Sequence, residues 1–177
     1  MKLHVGCGSI KIEGYVNVDI RYLPNVDIVD NAMYLRKFKG KQIEEIYACH
    51  VLEHIGRWDV QTVLKRWFDL LKSDGKLILS VPDFEAITKY YVKTKDLKSL
   101  VGLLYGGQDY NENFHKICWD FETLSEDLKQ VGFQDVVRYD WKTSGFSNFD
   151  DYSKSYLPHL DFNEGTLMSL NVQAVKK

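Results

Sequence analysis

The chain has little of what marks a secreted, membrane-spanning or nucleic-acid-wrapping protein. Its 177 residues include only three cysteines, an odd number with no pairing pattern, which suits a reducing compartment better than a disulfide framework. No apolar run is long enough to span a bilayer, and no hydrophobic signal region precedes the first β-prone run. The sequence therefore reads as a soluble cytoplasmic protein. An excess of one charge is missing too. With 23 basic against 25 acidic residues and a net charge of −2, it offers no electrostatic footprint for nucleic acid. Repeats, low-complexity tracts and linkers are absent, and the length suits one domain, residues 1–177, around a single core.

Several catalytic signatures are also lacking. Cys7, Cys49 and Cys118 do not have the Cys-x2-Cys spacing of a zinc site. His50 and His54 do not form a helical His-Glu-x-x-His, since Glu53 comes directly before His54. On these grounds the sequence predicts no metal site. There is no Gly-x-Ser-x-Gly elbow for a serine hydrolase and no Gly-Lys-Ser/Thr triplet for a phosphate-binding loop.

What is present begins at the first residue. Leu3–Val5 is a short apolar run closed by Gly6, Cys7, Gly8 and Ser9, and Tyr15–Ile20 is a second β-prone run with Asp19 near its end. Buried parallel strands read in this way, and glycines after one let backbone N–H groups approach a ligand. In open α/β sheets ligands lie beyond the carboxyl ends of the strands. A carboxylate there, Asp19, can accept both hydroxyls of a ribose. The stretch reads as a nucleoside site. A dinucleotide fingerprint, and with it a nicotinamide-dependent oxidoreductase, is disfavoured. Lys11 stands where the third glycine belongs, and Asp19 follows Gly8 too closely.

Further along, Val26–Asp30 is a short third strand ending on a carboxylate, which could equally cap a turn. Ile43–His50 is a fourth strand leading into Val51–Ile55. Asp59 is a plausible cap for a helix over Val60–Lys72, whose apolar positions repeat every three to four residues and place Trp67 and Phe68 in the core, with Gly75 just past its end. Lys76–Val81 is a fifth strand stopped by Pro82, and Asp83 caps the next helix, Phe84–Thr94. Asp96–Tyr105 reads as helical, and the polar, aromatic stretch Gln108–Asp120 as a long loop. Thr123–Glu126 reads as a capping box. Asp135–Trp141 is a sixth strand and Leu167–Lys176 a seventh. Residues 142–165 between them are too long for an ordinary loop. Their polar majority argues against core, so they form an excursion or lid that holds substrate or a second copy of the chain as a homodimer.

Val5-Gly6-Cys7-Gly8-Ser9 resembles motif I of the class I S-adenosylmethionine-dependent methyltransferases, and Asp19 the acidic tip of their second strand. Ala48–Ile55 resembles the family's His-Val-Leu-Glu-His-Ile segment, Leu71–Leu77 its Leu-Lys-Pro-Gly-Gly-x-Leu, and Val81-Pro82-Asp83 its Val-Pro-Asp. Gly14–Asp19 resembles a segment that directly follows motif I in a subfamily of small methyltransferases of types 11 and 12 with a shortened first helix. The resemblance implies an α/β, Rossmann-like three-layer sandwich with seven strands in the order 3-2-1-4-5-7-6, mostly parallel with an antiparallel last strand. It implies S-adenosylmethionine as cofactor and S-adenosylhomocysteine as product. Gly6, Cys7 and Gly8 would face the methionine end, Asp19 with Ile20 the ribose, Asp30 with Asn31 and Ala32 the adenine, and Cys49 and His50 the amino-acid tail. His115 and Lys116 match a His-Lys pair common in the family's later loop. Methyl transfer is an in-line displacement in which the protein mostly positions the partners. His115, and after it His54, are the candidate general bases for a hydroxyl acceptor. The implied acceptor is a small molecule or a glycan sugar. The alternative is a binding or scaffold protein that keeps the fold without catalysis.

Overall fold

The computed structural model describes residues 1–177. Nine strands are β1 (Lys2–Val5), β2 (Val16–Asp19), β3 (Ile28–Val29), β4 (Ile43–Cys49), β5 (Leu71–Pro82), β6 (Phe133–Arg138), β7 (Tyr156–Leu157), β8 (Thr166–Leu167) and β9 (Ser169–Lys176). The helices are α1 (Val60–Leu70), α2 (Phe84–Thr94), α3 (Val101–Tyr105) and α4 (Phe121–Gln130). Seven strands form one sheet in the order β3-β2-β1-β4-β5-β9-β6, and β7 and β8 form a separate two-stranded ribbon. β1 to β5 pair in parallel, while β9 lies antiparallel between β5 and β6. This is the expected strand order, with the antiparallel last strand in its expected place. No helix is long and apolar enough to cross a membrane.

Strand side chains alternate between two faces, and here the faces differ in chemistry. Leu3, Val5, Ile46, Ala48, Leu77, Leu79, Val81, Leu170, Val172 and Ala174 point to one side and join the main core. α1 packs there through Val60, Val63, Leu64 and Trp67, and α4 through Leu124 and Leu128. On the other side lie His4, Asn17, Tyr47, Ser80 and Asn171, all buried. Buried polar groups need partners. His4 Nδ1 lies 3.1 Å from Asn17 Oδ1, the Ser80 hydroxyl donates to Asn171 Oδ1 at 2.6 Å, and the Tyr47 hydroxyl donates to Asp151 Oδ2 at 2.6 Å.

Asp151 belongs to the segment 142–165, which lies against this polar face. Asn171 Nδ2 donates to the Ser153 carbonyl at 2.8 Å, and Phe146 joins Ile12, Tyr47 and Ile78 in a second small core. Phe146, Ser153 and Tyr156 are buried. The polar majority of the segment does not keep it out of the interior, because the strand face it covers is itself polar. The covering is needed since no helix forms between β1 and β2. The shortened first helix is absent altogether, and residues 6–15 cross between the two strands as a turn.

Local differences from the sequence reading have local causes. α1 stops at Leu70, and Leu71 is already extended. β5 starts at once, its pairing with β4 jumping from Ile43–Leu71 to Glu45–Lys76, and within that irregularity Asp74, not Gly75, takes the left-handed conformation at φ 60°. Asp59 occupies the N-cap position of α1, but its side chain makes no capping bond. The capping box of α4 is Asp120 with Thr123, three residues earlier than Thr123–Glu126. The stretch 96–105 divides into a 3-10 turn, Lys98–Leu100, and α3. Asp83 caps α2 as expected, accepting from the N–H groups of Glu85 and Ala86.

Candidate active site

The carboxyl ends of β1, β2 and β4 open onto one crevice. A cavity of about 320 Å³ is lined by Gly6, Asp19, Ile20, Asp30, Asn31 and Ala32 among others. A second, of about 580 Å³, is lined by Cys7, Gly8, Cys49 and His115 among others. Gly6, Arg21, His50, His54 and Tyr110 border both. The crevice thus brings together all the residues singled out from the sequence. Its size lies in the range of small-molecule sites, about 300–1,000 Å³.

Gly6 is required by two features at once. Its φ is +67°, and a Cβ there would sit 2.3 Å from Val51 Cγ2, so the first turn of the crevice rests directly on the segment after β4. The carboxylate of Asp19 ties the loop to β2. Gly8 N–H donates to Asp19 Oδ2 at 2.8 Å, while the backbone N–H and Nε of Arg21 donate to Oδ1 at 2.9 and 3.2 Å. The Arg21 guanidinium lies over the Tyr110 ring, 4.4 Å from its centroid. Asp19 therefore already has partners, and a ribose would use its remaining lone pairs or displace Arg21. Asp30 likewise accepts from two backbone N–H groups, of Asn31 at 2.8 Å and Lys37 at 2.9 Å. Its turn role is real, and it still faces the cavity.

Cys7 and Cys49 are neutral thiols. Burial, followed by the Asp19 carboxylate, pushes Cys7 up to about 12, and burial raises Cys49 well above the usual thiol range. They contribute surface to the crevice, not charge.

Behind the crevice wall formed by His50 and His54 stands a group with no assigned role in the sequence. Glu53 is 0% exposed, and neither of its carboxylate oxygens accepts a hydrogen bond. His50 Nδ1 lies 3.0 Å from Glu53 Oε1, an ion pair when that nitrogen is protonated. His115 Nε2 is 3.9 Å from the same oxygen. The rings of His54 and His115 meet edge to face at 4.7 Å. Burial pushes the Glu53 carboxyl up, but the charge that His50, His54 and His115 can carry outweighs it and holds the carboxyl below its ordinary value. Burial lowers His54, which is neutral at pH 7.

The loop after α3 delivers His115 to this place. Lys116 N–H donates to the Glu53 carbonyl at 2.8 Å and His115 N–H to the Tyr105 carbonyl at 3.1 Å. A Cβ on Gly106 would lie 2.5 Å from the Asn113 carbonyl oxygen, so only glycine lets the loop fold back this tightly. The missed signal was Glu53 itself. A lone carboxylate between Val51-Leu52 and Ile55 is a charge in an apolar run, and a charged residue that is fully buried is almost always paired. Tyr110 was missed because it lies in a long loop with no periodic pattern, and Arg21 because only the fold brings that ring over its guanidinium.

No protein-family model matches the chain, and no curated protein matches it in sequence. Solved structures do. A SAM-dependent methyltransferase from Archaeoglobus fulgidus matches over 99% of this chain and 85% of its own, with TM-score 0.57 and 16% identity. The 1,6-didemethyltoxoflavin-N1-methyltransferase of Burkholderia thailandensis, bound to its substrate and S-adenosylhomocysteine, matches over 99% and 70%, with TM-score 0.57 and 15% identity. Human N-acetylserotonin methyltransferase in complex with SAM matches over 99% of this chain at TM-score 0.57 and 12% identity, and this chain spans about half, 47%, of its length. The chain has the class I S-adenosylmethionine-dependent methyltransferase fold.

Proposed function

We propose that the chain is an S-adenosylmethionine-dependent methyltransferase acting on a small molecule or a sugar. The observation that carries this reading is the placement of the Gly6–Gly8 turn and Asp19 together in a crevice at the strand ends of this fold. The residues suit the cofactor. Gly6 and Gly8 keep backbone close to the crevice without side chains, the neutral Cys7 and Cys49 suit a thioether and methylene chain, and Asp19 and Asp30 stand at separate points of the first cavity where ribose and adenine would lie. His50 borders both cavities, between the nucleoside end and the histidine cluster, which suits a contact to the amino-acid tail.

When bound, the cofactor supplies an electrophilic methyl group on a sulfonium. The protein's own part is to orient the acceptor and to take its proton where it is a hydroxyl. His54 and His115 border the second cavity, and one of them fills that role in this reading, with His54 kept neutral and able to accept. Cytoplasmic location and a homodimer are part of the same proposal. The near-balanced charge supports a neutral or sugar acceptor over nucleic acid.

Isothermal titration with S-adenosylhomocysteine is the test. Saturable one-to-one binding, weakened at least tenfold by Asp19→Ala, is the expected result. No heat with either S-adenosylhomocysteine or S-adenosylmethionine would sink the reading. Binding without turnover on any acceptor tried would favour a scaffold built on the same fold.

A further inference from the structure

The buried carboxylate of Glu53 calls for an explanation that the crevice lining alone does not supply. Two imidazoles approach it, and each gives a ring N–H to a partner on its other side. The Leu103 carbonyl can only accept, so His115 Nδ1, 2.8 Å away, donates to it. The Ser169 hydroxyl donates its one proton to the Tyr152 carbonyl, so at 2.9 Å it must accept from His50 Nε2–H. These partners leave His115 Nε2 and His50 Nδ1 as the ring nitrogens facing Glu53 Oε1, at 3.9 and 3.0 Å. His54 Nδ1 is buried and has no partner at all. A buried carboxylate with no hydrogen bond to either oxygen, set beside an unpartnered imidazole nitrogen and a second imidazole, is a donor set that a cation would complete.

We infer that Glu53, His54 and His115 form a binding site for a divalent first-row transition ion such as Zn²⁺. A ligand atom from each of the three lies within 4.8 Å of the others. An ion with bonds of about 2.0–2.2 Å needs ligand atoms about 3–4 Å apart, so small side-chain rotations close the set. Two imidazoles and a carboxylate are the donors that such ions prefer over magnesium or calcium, and three ligands leave coordination positions open toward the crevice. The outer partner of a ligand histidine is already in place. A metal-bound histidine normally gives its other N–H to a carbonyl or carboxylate, as His115 does to Leu103. His50 stands beside the set, its Nδ1 3.0 Å from Oε1, and is held in a left-handed backbone conformation at φ 52°, which a non-glycine residue adopts at a cost.

The spacing rules applied to the sequence predict no such site, because they look for a helical His-Glu-x-x-His. Here adjacent Glu53 and His54 come from the segment after β4, and His115 comes from a loop far along the chain. The inference goes beyond the methyl-transfer reading. With the ion bound, His54 and His115 are ligands and not proton acceptors, and the open positions face whatever occupies the second cavity.

The test uses the full chain, freed of metal by chelation and containing no cofactor, so its outcome is separate from that of cofactor binding. Titration with Zn²⁺ and with Co²⁺ should show one ion per chain at micromolar affinity, a raised melting temperature, and cobalt absorption without a thiolate charge-transfer band. His115→Gln and Glu53→Gln should each weaken binding by more than the about 10–100-fold that loss of an outer-shell partner costs. Circular dichroism would show whether each variant is folded. Absence of binding by the wild-type chain at millimolar ion overturns the proposal. So does a thiolate band, which would place the ion at Cys7 or Cys49, and so does unchanged affinity in a folded His115→Gln. If the variants do not fold, the wild-type stoichiometry and cobalt spectrum decide alone.

Discussion

Phe146 stacks face to face on Tyr47, with ring centroids 3.8 Å apart and planes within 5° of parallel. One ring comes from the segment between β6 and β7, the other from the centre of β4. The contact closes the sheet face where a helix between β1 and β2 would otherwise pack. Removing the ring by Phe146→Ala should therefore behave as a core deletion and not as a loop change. The expected loss is about 3–5 kcal/mol, as for a buried phenylalanine, read by urea denaturation. A loss under 1 kcal/mol would mean that the segment is a detachable lid.

The polar side of the sheet also sets how stability responds to acid. His4 is buried against Tyr47, their rings 5.4 Å apart. Burial lowers its pKa below the ordinary 6.5, more than its hydrogen bond to Asn17 raises it. The unfolded chain thus takes up a proton near pH 6.5 that the folded chain still refuses. Stability is full above pH 6.5 and falls as pH drops from there toward the lower folded value, by up to about 1.4 kcal/mol per pH unit for one group. Burial lowers His54 too, so it adds in the same direction. His4→Phe should make the pH dependence shallower in this window. An identical slope in wild type and variant would show that His4 titrates alike in the folded and unfolded chains.

How far the sequence carried depends on what kind of signal each part left. Alternating and continuous apolar runs located β1, β4, β5 and β9, since a strand's side chains must match the face they cover. The period of Val60, Val63, Leu64 and Trp67 located α1. The glycines and Asp19 marked the crevice because backbone approach needs them locally. The covering of the second face left no such mark: Asp151, Ser153 and Phe146 act through single contacts with distant strands, inside a stretch of polar composition. The Glu53 cluster was invisible for the same reason. His50 and His54 flank Glu53 in one segment, but His115 is far along the chain, and the fold-back at Gly106 is what brings it to them.

The thiols give a simpler check of the crevice chemistry. Cys7 is pushed up to about 12 and Cys49 well above the usual range, so neither carries appreciable thiolate at pH 8. Only thiolates react readily with alkylating reagents. Native protein treated with iodoacetamide should keep both unmodified, by peptide mass spectrometry, while denatured protein is labelled at all three cysteines. Rapid native labelling of Cys7 would mean that the first turn opens in solution and that its burial is transient.

The contact between Gly6 and Val51 offers the sharpest test of how the crevice is built. Gly6→Ala adds a methyl group where the backbone stands at φ +67°, and that methyl would lie 2.3 Å from Val51 Cγ2. Two costs are expected: about 1–2 kcal/mol for an L-residue in the left-handed region and about 1–3 kcal/mol for overpacking. They separate because only the second depends on Val51. Val51→Ala by itself removes buried methyl groups and destabilises, yet in the Gly6→Ala background it relieves the clash. The double variant should be more stable than the sum of the single effects, with a coupling of at least about 1 kcal/mol by denaturation. Additive effects would mean that the turn and the segment after β4 do not touch, and the shared wall of the two cavities would lose its basis. S-adenosylhomocysteine titrations on the same four proteins distinguish stability from binding. The proposed cofactor site requires that Gly6→Ala weaken the nucleoside even where Val51→Ala restores the fold, because the added methyl group still occupies the turn.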